Sequence, residues 1–360
     1  MDRKLNGLSR ELIIHPGETL KEILEDREMS QRELAIRTDV TEAHVSKIVN
    51  GQKAISVGYA KKLGYALNIA ASFWVNLQSN YDQELADFEE VNNILDEELG
   101  ILKKLRDITD YLKEMDFLES DAQGPILVIL LRQLLNISSL LRIPEISQAG
   151  AYRLAAGRID PYVLFTWLRT CDLISEKQNI DQALDVEGLI NKIPDMKKLM
   201  FAPAFEIEKK LKDSLRDCGI KFSIVKHFKG APVQGVIKRN KDDTFSLIMT
   251  NRRKFADIFW FTFFHEIGHI ISGDIKDMLI DYEENDNETE RAADRFASDT
   301  LIDPGEYDEF VCQGDYSLAR IKWFSDKLNI PPFIVIGRLQ RDKYLKYRHY
   351  SEEKIKYELV

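Results

Sequence analysis

Along the first part of the chain apolar residues recur three or four positions apart, in short runs broken by polar and glycine punctuation, which is the period of small amphipathic helices. Residues 15–80 read as several of them. Ser30, Gln31, Arg32 and Glu33 make a capping-box sequence, in which the Ser hydroxyl takes an orphan N–H and the Glu reaches back. Leu34 and Ala35 follow at core spacing, and Asp39 with Val40 breaks the helix. Thr41 then caps a second helix with Val45, Ile48 and Val49 on its inner face, and Asn50 and Gly51 end it. Two short helices around a tight turn are a helix-turn-helix pattern. Further helices are expected at 57–67 and 72–80. Residues 81–120 are acidic, with Asp87, Glu89, Glu90, Asp96, Glu97 and Glu98, and read as a solvated helical connection. The apolar run 126–142 contains Arg132, Gln133 and Asn136 and predicts a buried helix, not a membrane one. Another helix, with Trp167, is expected over 160–176.

The period changes near residue 219. Ile220–Val225, Val233–Lys238 and Phe245–Thr250 are β-prone runs separated by Gly230, Pro232 and the polar stretch Lys241, Asp242, Asp243. A long apolar helix then runs from Phe255 to Ile271, followed by a polar loop near 281–288 and helices near 289–301, 316–328 and 331–345. A few strands followed by helices point to an α+β domain.

Length and charge sharpen this outline. A chain of 360 residues is expected to hold about two or three domains. Neither an apolar run long enough to span a membrane nor a secretory leader is evident, so a soluble, cytoplasmic protein with no membrane partner is expected. Cys171, Cys218 and Cys312 are scattered and read as small buried residues, not as a disulfide framework or a thiolate site. The net charge of −10 argues against coating nucleic acid along the whole length. Residues 1–80, however, hold eleven Lys and Arg against ten Asp and Glu, so the acidity lies beyond them and leaves room for a DNA-reading module.

The chemistry concentrates in the apolar helix at 255–271, which contains His265, Glu266 and His269 as HExxH. Positions i and i+4 share a helix face, so both imidazoles can meet one ion, and Glu266 can reach a water beside it. Two His and a Glu on a helix apolar on nearly all sides need partners, because unpaired buried polar groups are costly. Downstream, Glu290 and Asp294 share a helical face with Ala293 and Ala297. Glu290 is placed to be the third ligand of a Zn2+ ion, and Asp294 to take a ligand histidine's proton and fix its tautomer.

The HEIGH segment followed by ETERAADRFASDTLIDP, with LNIPPFIVIGRLQ at 328–340, resembles the ImmA/IrrE family of metallopeptidases over roughly 255–345. One departure is Ala292, where that family often carries Glu. The resemblance implies a gluzincin-like domain. At the other end, HPGETLKEILEDREMSQRELAIRTDVTEAHVSKIVNGQKAIS and the later LNIAASFWVNLQSNYD resemble the HigA-type antitoxin and Xre-type repressor helix-turn-helix over about 12–85. The expected fold is therefore mainly α: a five-helix, lambda-repressor-like domain at 1–85, a helical middle at 86–200, and a zinc metallopeptidase domain with a small β-sheet at 201–360.

In a helix-turn-helix the second helix enters the major groove, which points to Thr41, Glu42, His44, Ser46 and Lys47 as base readers. Gln31, Asn50, Gln52 and Lys53 would hold phosphates. His15 reads as a helix-start residue, while His227 and His349 lack metal spacing. The expected function is a homodimeric, antitoxin-like transcriptional regulator on a two-fold double-stranded DNA operator. Its fused zinc endopeptidase, conditional in activity, would cut a repressor, with Glu266 as general base. A toxin is a further possible partner. The alternatives are a repressor whose zinc domain is a sensor or structural module without proteolysis, and a peptidase whose helix-turn-helix binds a protein. Strand Phe245–Thr250 or Val233–Lys238 is expected to hold substrate as an added strand, with Tyr282 as a candidate oxyanion donor.

Overall fold

The structure is a computed structural model and describes residues 9–149, 159–250, 252, 254–275, 277–281 and 288–358. The chain divides into two compact units, Met1–Lys103 with Glu119–Leu140, and Lys104–Leu118 with Leu141–Val360. The middle region 86–200 is shared between them. No single described helix is long and apolar enough to cross a membrane.

The first unit opens with α1 (Pro16–Asp26), α2 (Gln31–Thr38), α3 (Glu42–Val49), α4 (Val57–Leu67) and α5 (Ala71–Asn92). Their starts are set by side chains that take orphan N–H groups: His15 Nδ1 from Gly17, Ser30 from Glu33, Thr41 from His44 and Ser56 from Tyr59. The capping box is only half made, because the Glu33 carboxylate accepts from Arg37 at 2.7 Å, one turn on along the same helix face. Asp39 adopts a left-handed conformation between α2 and α3, and Gly51 does so after α3, at φ 70°. Leu34, Val45, Ile48, Leu63 and Trp74 are fully buried at the centre of the five helices. The loop after α3 is tied down by the buried Gln78 side chain, which accepts from Ile55 N at 2.8 Å. The helix expected at 72–80 runs on to Asn92.

The unit is completed by the first part of α6 (Asp96–Glu114) and by α7 (Gly124–Leu135). Here the expectation of a solvated acidic connection is corrected at Glu98, which is fully buried. It accepts from Arg132, from Ser139 Oγ at 3.1 Å and from Leu140 N at 2.7 Å. Burial opposes its ionisation, but these donors win and hold the carboxyl below its usual range. The Arg132 seen in the apolar run is thus the partner of Glu98. That run is not one helix: Asn136 turns left-handed and ends α7.

The second unit contains α8 (Ile143–Ala149), α9 (Pro161–Glu176), α10 (Val186–Lys198), α11 (Ala204–Arg216), β1 (Ile220–Val225), β2 (Gly235–Arg239), β3 (Phe245–Thr250), α12 (Ala256–Ser272), β4 (Met278–Asp281), α13 (Glu288–Leu301), α14 (Pro304–Cys312), α15 (Leu318–Leu328) and α16 (Pro332–Arg341). The four strands form a mixed sheet in the order β1-β3-β2-β4, with β1 and β3 parallel and the other pairs antiparallel. β1 and β3 are buried throughout, so they lack the alternation of a half-exposed strand. Phe222 of β1 meets Phe263 of α12 edge to face. Trp167 of α9 donates to the Lys226 carbonyl just past β1, at 3.1 Å.

α12 is a buried helix, with Trp260, Phe263, Phe264 and Ile267 wholly inside the core. Its start is held by a C-terminal segment: Tyr357 N donates to the Lys254 carbonyl, Trp260 Nε1 to Tyr357 OH at 2.8 Å, and Lys354 pairs with Asp257 at 2.6 Å. α13 packs along α12, and Gly268 permits the approach, since a Cβ there would sit 3.0 Å from the Phe296 ring. Cys171 and Cys218 are buried; Cys312, expected to be so, is exposed at the end of α14.

Candidate functional site

Three ligand-type atoms converge between α12 and α13. His265 and His269, one turn apart, point their Nε2 atoms toward the same place, 3.1 Å from each other. Glu290 Oε2 from α13 lies 3.2 Å from His265 Nε2 and 3.5 Å from His269 Nε2. All three residues are buried. The opposite nitrogens of both rings are engaged: His265 Nδ1 lies 2.9 Å from Asp294 Oδ1, and His269 Nδ1 lies 3.0 Å from Asp274 Oδ2.

This arrangement fits a metal ion. A carboxylate can only accept, so each Nδ1 must be the donor, and a neutral ring then has a lone pair at Nε2. When both rings are neutral, two imidazole lone pairs and a carboxylate oxygen thus face one another. A cation at their centre removes that repulsion. Tetrahedral ligands at bond lengths of about 2.0–2.1 Å stand about 3.3–3.4 Å apart, close to the 3.1, 3.2 and 3.5 Å found here.

The electrostatics agree. Burial opposes the charge on Glu290, yet its bonds to His265 and His269 pull its pKa down to about 2. Burial likewise disfavours a charged His269, but Glu290 and Asp274 outweigh it and raise its pKa above 6.5. In the absence of an ion, a proton is drawn to the same place.

Glu266, one residue from His265, is wholly buried on the sheet side of α12. Gly235 of β2 lies against it: a Cβ at that position would stand 2.0 Å from Glu266 Oε1. Only glycine leaves room for the carboxylate there. Gly235 also pairs with Asp281 of β4, so the β4 end of the sheet lies beside Glu266.

Asp274 and Gly235 were missed in the sequence. Asp274 follows Gly273, the left-handed residue that ends α12, and an acidic residue just past such a turn is the only local signal it gives. Gly235 gives none, because its role depends on the strand crossing over Glu266. The two strands expected to hold substrate are corrected. β3 lies between β1 and β2, and β2 lies between β3 and β4, so neither has a free edge to pair with another chain. Tyr282 lies outside the described residues. His227 is half-buried after β1, and His349 lies beyond α16; neither joins the triad.

In the first unit none of the residues expected to face DNA is buried. Thr41, Glu42, Lys47, Asn50, Gln52 and Lys53 are exposed, and Gln31 and Ser46 partly so. Asn50 Nδ2 donates to Ser46 Oγ at 3.2 Å. His44 differs from the rest. Its ring packs at 4.9 Å from that of Tyr59, and its Nδ1 lies 3.2 Å from Lys53 Nζ. Burial, with Lys53 and Lys62 nearby, lowers its pKa and keeps it neutral near pH 7. Ala43, passed over in the sequence, is exposed beside Glu42 on the first turn of α3.

Residues 20–74 match the helix-turn-helix family. Virulence-associated protein A' of Dichelobacter nodosus is 41% identical over 69 residues, 19% of this chain and 60% of that protein. The chain thus spans less than two thirds of that relative. PA4674 of Pseudomonas aeruginosa, solved with its operator DNA, is 40% identical over 20% of this chain and 80% of its own, with a TM-score of 0.20. The antitoxin HigA of Pseudomonas aeruginosa, solved with the higBA promoter, is 35% identical over 23% of this chain and 96% of its own, at a TM-score of 0.22. By sequence over residues 20–74 and by the two capped helices α2 and α3, the N-terminal region carries a helix-turn-helix.

Proposed function

We propose that this protein is a DNA-binding transcriptional regulator of the antitoxin-like type that also carries a zinc-dependent endopeptidase of the ImmA/IrrE kind, directed at a repressor protein. The observation that carries the enzymatic half is the convergence of His265, His269 and Glu290, with both histidines oriented by carboxylates and Glu266 one residue away. A purely structural site has no use for that last carboxylate.

His265 Nε2, His269 Nε2 and Glu290 Oε2 would hold the zinc ion. When bound, zinc supplies Lewis-acid polarisation of a peptide carbonyl and acidifies water near pH 7. The chain's own groups do the rest. Asp294 and Asp274 keep both Nδ1 atoms protonated and both rings in the ligating tautomer. Glu266 takes the proton from the attacking water on its carboxylate and returns it to the leaving amine nitrogen. Gly235 keeps space for that carboxylate. β4, which has no second partner strand among the described residues, is the edge that could seat an extended substrate, and its Asp281 end lies beside Gly235.

For the DNA half, the module acts as a homodimer on a two-fold operator, with α3 in the major groove. Thr41, Glu42, Ser46 and Lys47 face base edges, while Gln31, Asn50, Gln52 and Lys53 hold phosphates. His44 positions Lys53 through their contact.

The test is Glu266→Gln, which keeps size and hydrogen bonding but cannot take up the proton. The variant should retain zinc and operator binding and lose cleavage of the repressor in cells. Continued loss of repressor in that variant would overturn the peptidase reading.

A further inference from the structure

A cavity of about 300 Å3 opens beside the triad. Phe261 and His265 of α12 line one side, Asp294 and Ser298 of α13 another, and Arg341 ends α16 at its far side. Most charged groups on these walls are already matched. Asp257 pairs with Lys354, Arg338 Nε donates to Asp342 at 2.6 Å, and Asp294 is bound to His265.

Arg341 is different. Its guanidinium carbon lies 3.9 Å over the Phe261 ring, which fixes the plane of the fork. Nη2 donates to Ser298 Oγ, and the Asp342 carboxylate stands 3.8 Å from Nε, too far for a hydrogen bond. Nη1 is buried without a partner among the described residues. A guanidinium carries five N–H donors, so most of this one's capacity is unused. Nη1 itself is closed off, but the side chain as a whole is 34% exposed, so a ligand in the cavity can reach other atoms of it.

Its placement sets a distance. Phe261, whose ring Arg341 covers, lies four residues from His265 on α12, and the two rings are 6.3 Å apart. Four residues of helix span about 6 Å. An extended peptide advances about 3.3 Å per residue. A chain with its reacting carbonyl at the triad would therefore bring a group one or two residues away to Arg341.

The geometry points to Arg341 as a carboxylate-binding residue that selects peptides bearing an acidic group one or two residues from the bond at the triad. That the carboxylate is carried by a peptide rests on the peptidase reading; the anion-binding role of Arg341 does not. The carboxylate can belong to an internal Asp or Glu, or to a chain terminus.

The probes are capped Ala-Glu-Ala and Ala-Gln-Ala, Ala-Ala-Ala as free acid and as amide, and succinate. Each is titrated calorimetrically into the full chain, treated with chelator and, in parallel, loaded with zinc. A carboxylate-bearing peptide should bind about tenfold or more tightly than its uncharged twin, as a charge-assisted fork contact predicts. Arg341→Gln should abolish the difference, and Arg341→Lys, which keeps the charge, should retain part of it; melting curves establish that both fold. Preference for the Glu peptide assigns an internal acidic residue, and preference for the free acid assigns a terminus. Equal binding of charged and uncharged peptides, binding of succinate alone, no binding at all, or a preference that survives Arg341→Gln overturns the proposal. A carboxylate preference in a chain that cleaves nothing would leave Arg341 its role and remove the peptidase reading, whereas cleavage without preference would do the reverse.

Discussion

The two carboxylates that orient the histidines should not contribute equally to metal binding. Asp274 lies 3.0 Å from His269 Nδ1 with 22% of its side chain exposed, and the histidine is 1% exposed. Asp294 lies 2.9 Å from His265 Nδ1, but 57% of its side chain is exposed. Water competes for the second carboxylate and screens its charge, whereas the first acts in a drier setting. Removing the carboxylate behind a metal-bound histidine typically lowers metal affinity about 10–100-fold. At about 1.4 kcal/mol per decade that is about 1.4–2.8 kcal/mol. Asp274→Ala is expected near the upper end and Asp294→Ala near the lower. Competition with a chromophoric zinc chelator measures both affinities, and melting curves of the metal-free proteins exclude unfolding. The reasoning is refuted if Asp294→Ala weakens zinc binding more than Asp274→Ala, or if neither variant differs from wild type.

Four further outcomes are expected. His269, whose pKa is raised above 6.5, contributes stability to the metal-free chain that is fully present below that value and lost as pH rises through the raised pKa. Glu290, held down at about 2, contributes stability above 4.5 that is lost as pH falls through its lowered pKa. The melting temperature of chelator-treated protein should thus fall as pH rises above 6.5 and through the raised pKa of His269, over the range in which zinc affinity rises as His269 gives up its proton. Gly235→Ala places a methyl against Glu266 and should lose cleavage while retaining zinc, as metal analysis beside a proteolysis assay would reveal. Glu98→Ala strips a buried carboxylate from Arg132, Ser139 and Leu140 N and should cost about 3 kcal/mol, read from denaturant unfolding. Lys47→Ala should weaken operator binding and lower the magnitude of the salt slope by about one if Lys47 meets a phosphate, whereas a base-reading role would change sequence preference and leave the slope unaltered.

What the sequence determined by itself is what depends on neighbours along the chain. Ser30, Thr41 and Gly51 mark the ends of α2 and α3 because capping is decided within three or four residues. The 265–269 spacing places two imidazoles on one face of α12 because the helix repeat alone dictates it, and the same repeat puts Glu290 and Asp294 on one face of α13. Tertiary structure decided the rest. Glu98 read as one more solvated acid because nothing near it in sequence reveals that Arg132, 34 residues on, arrives to neutralise it. β2 and β3 looked available for substrate because strand order depends on pairings far apart in the chain, and β4 is too short to announce itself. Asp274, Gly235 and Arg341 acquire their roles only where α12 meets its neighbours: one carboxylate behind a ring, one missing side chain over Glu266, and one guanidinium with donors to spare. Periodicity fixes which residues share a face, but which groups meet across faces depends on packing between elements, and the chemistry of this site is made across faces.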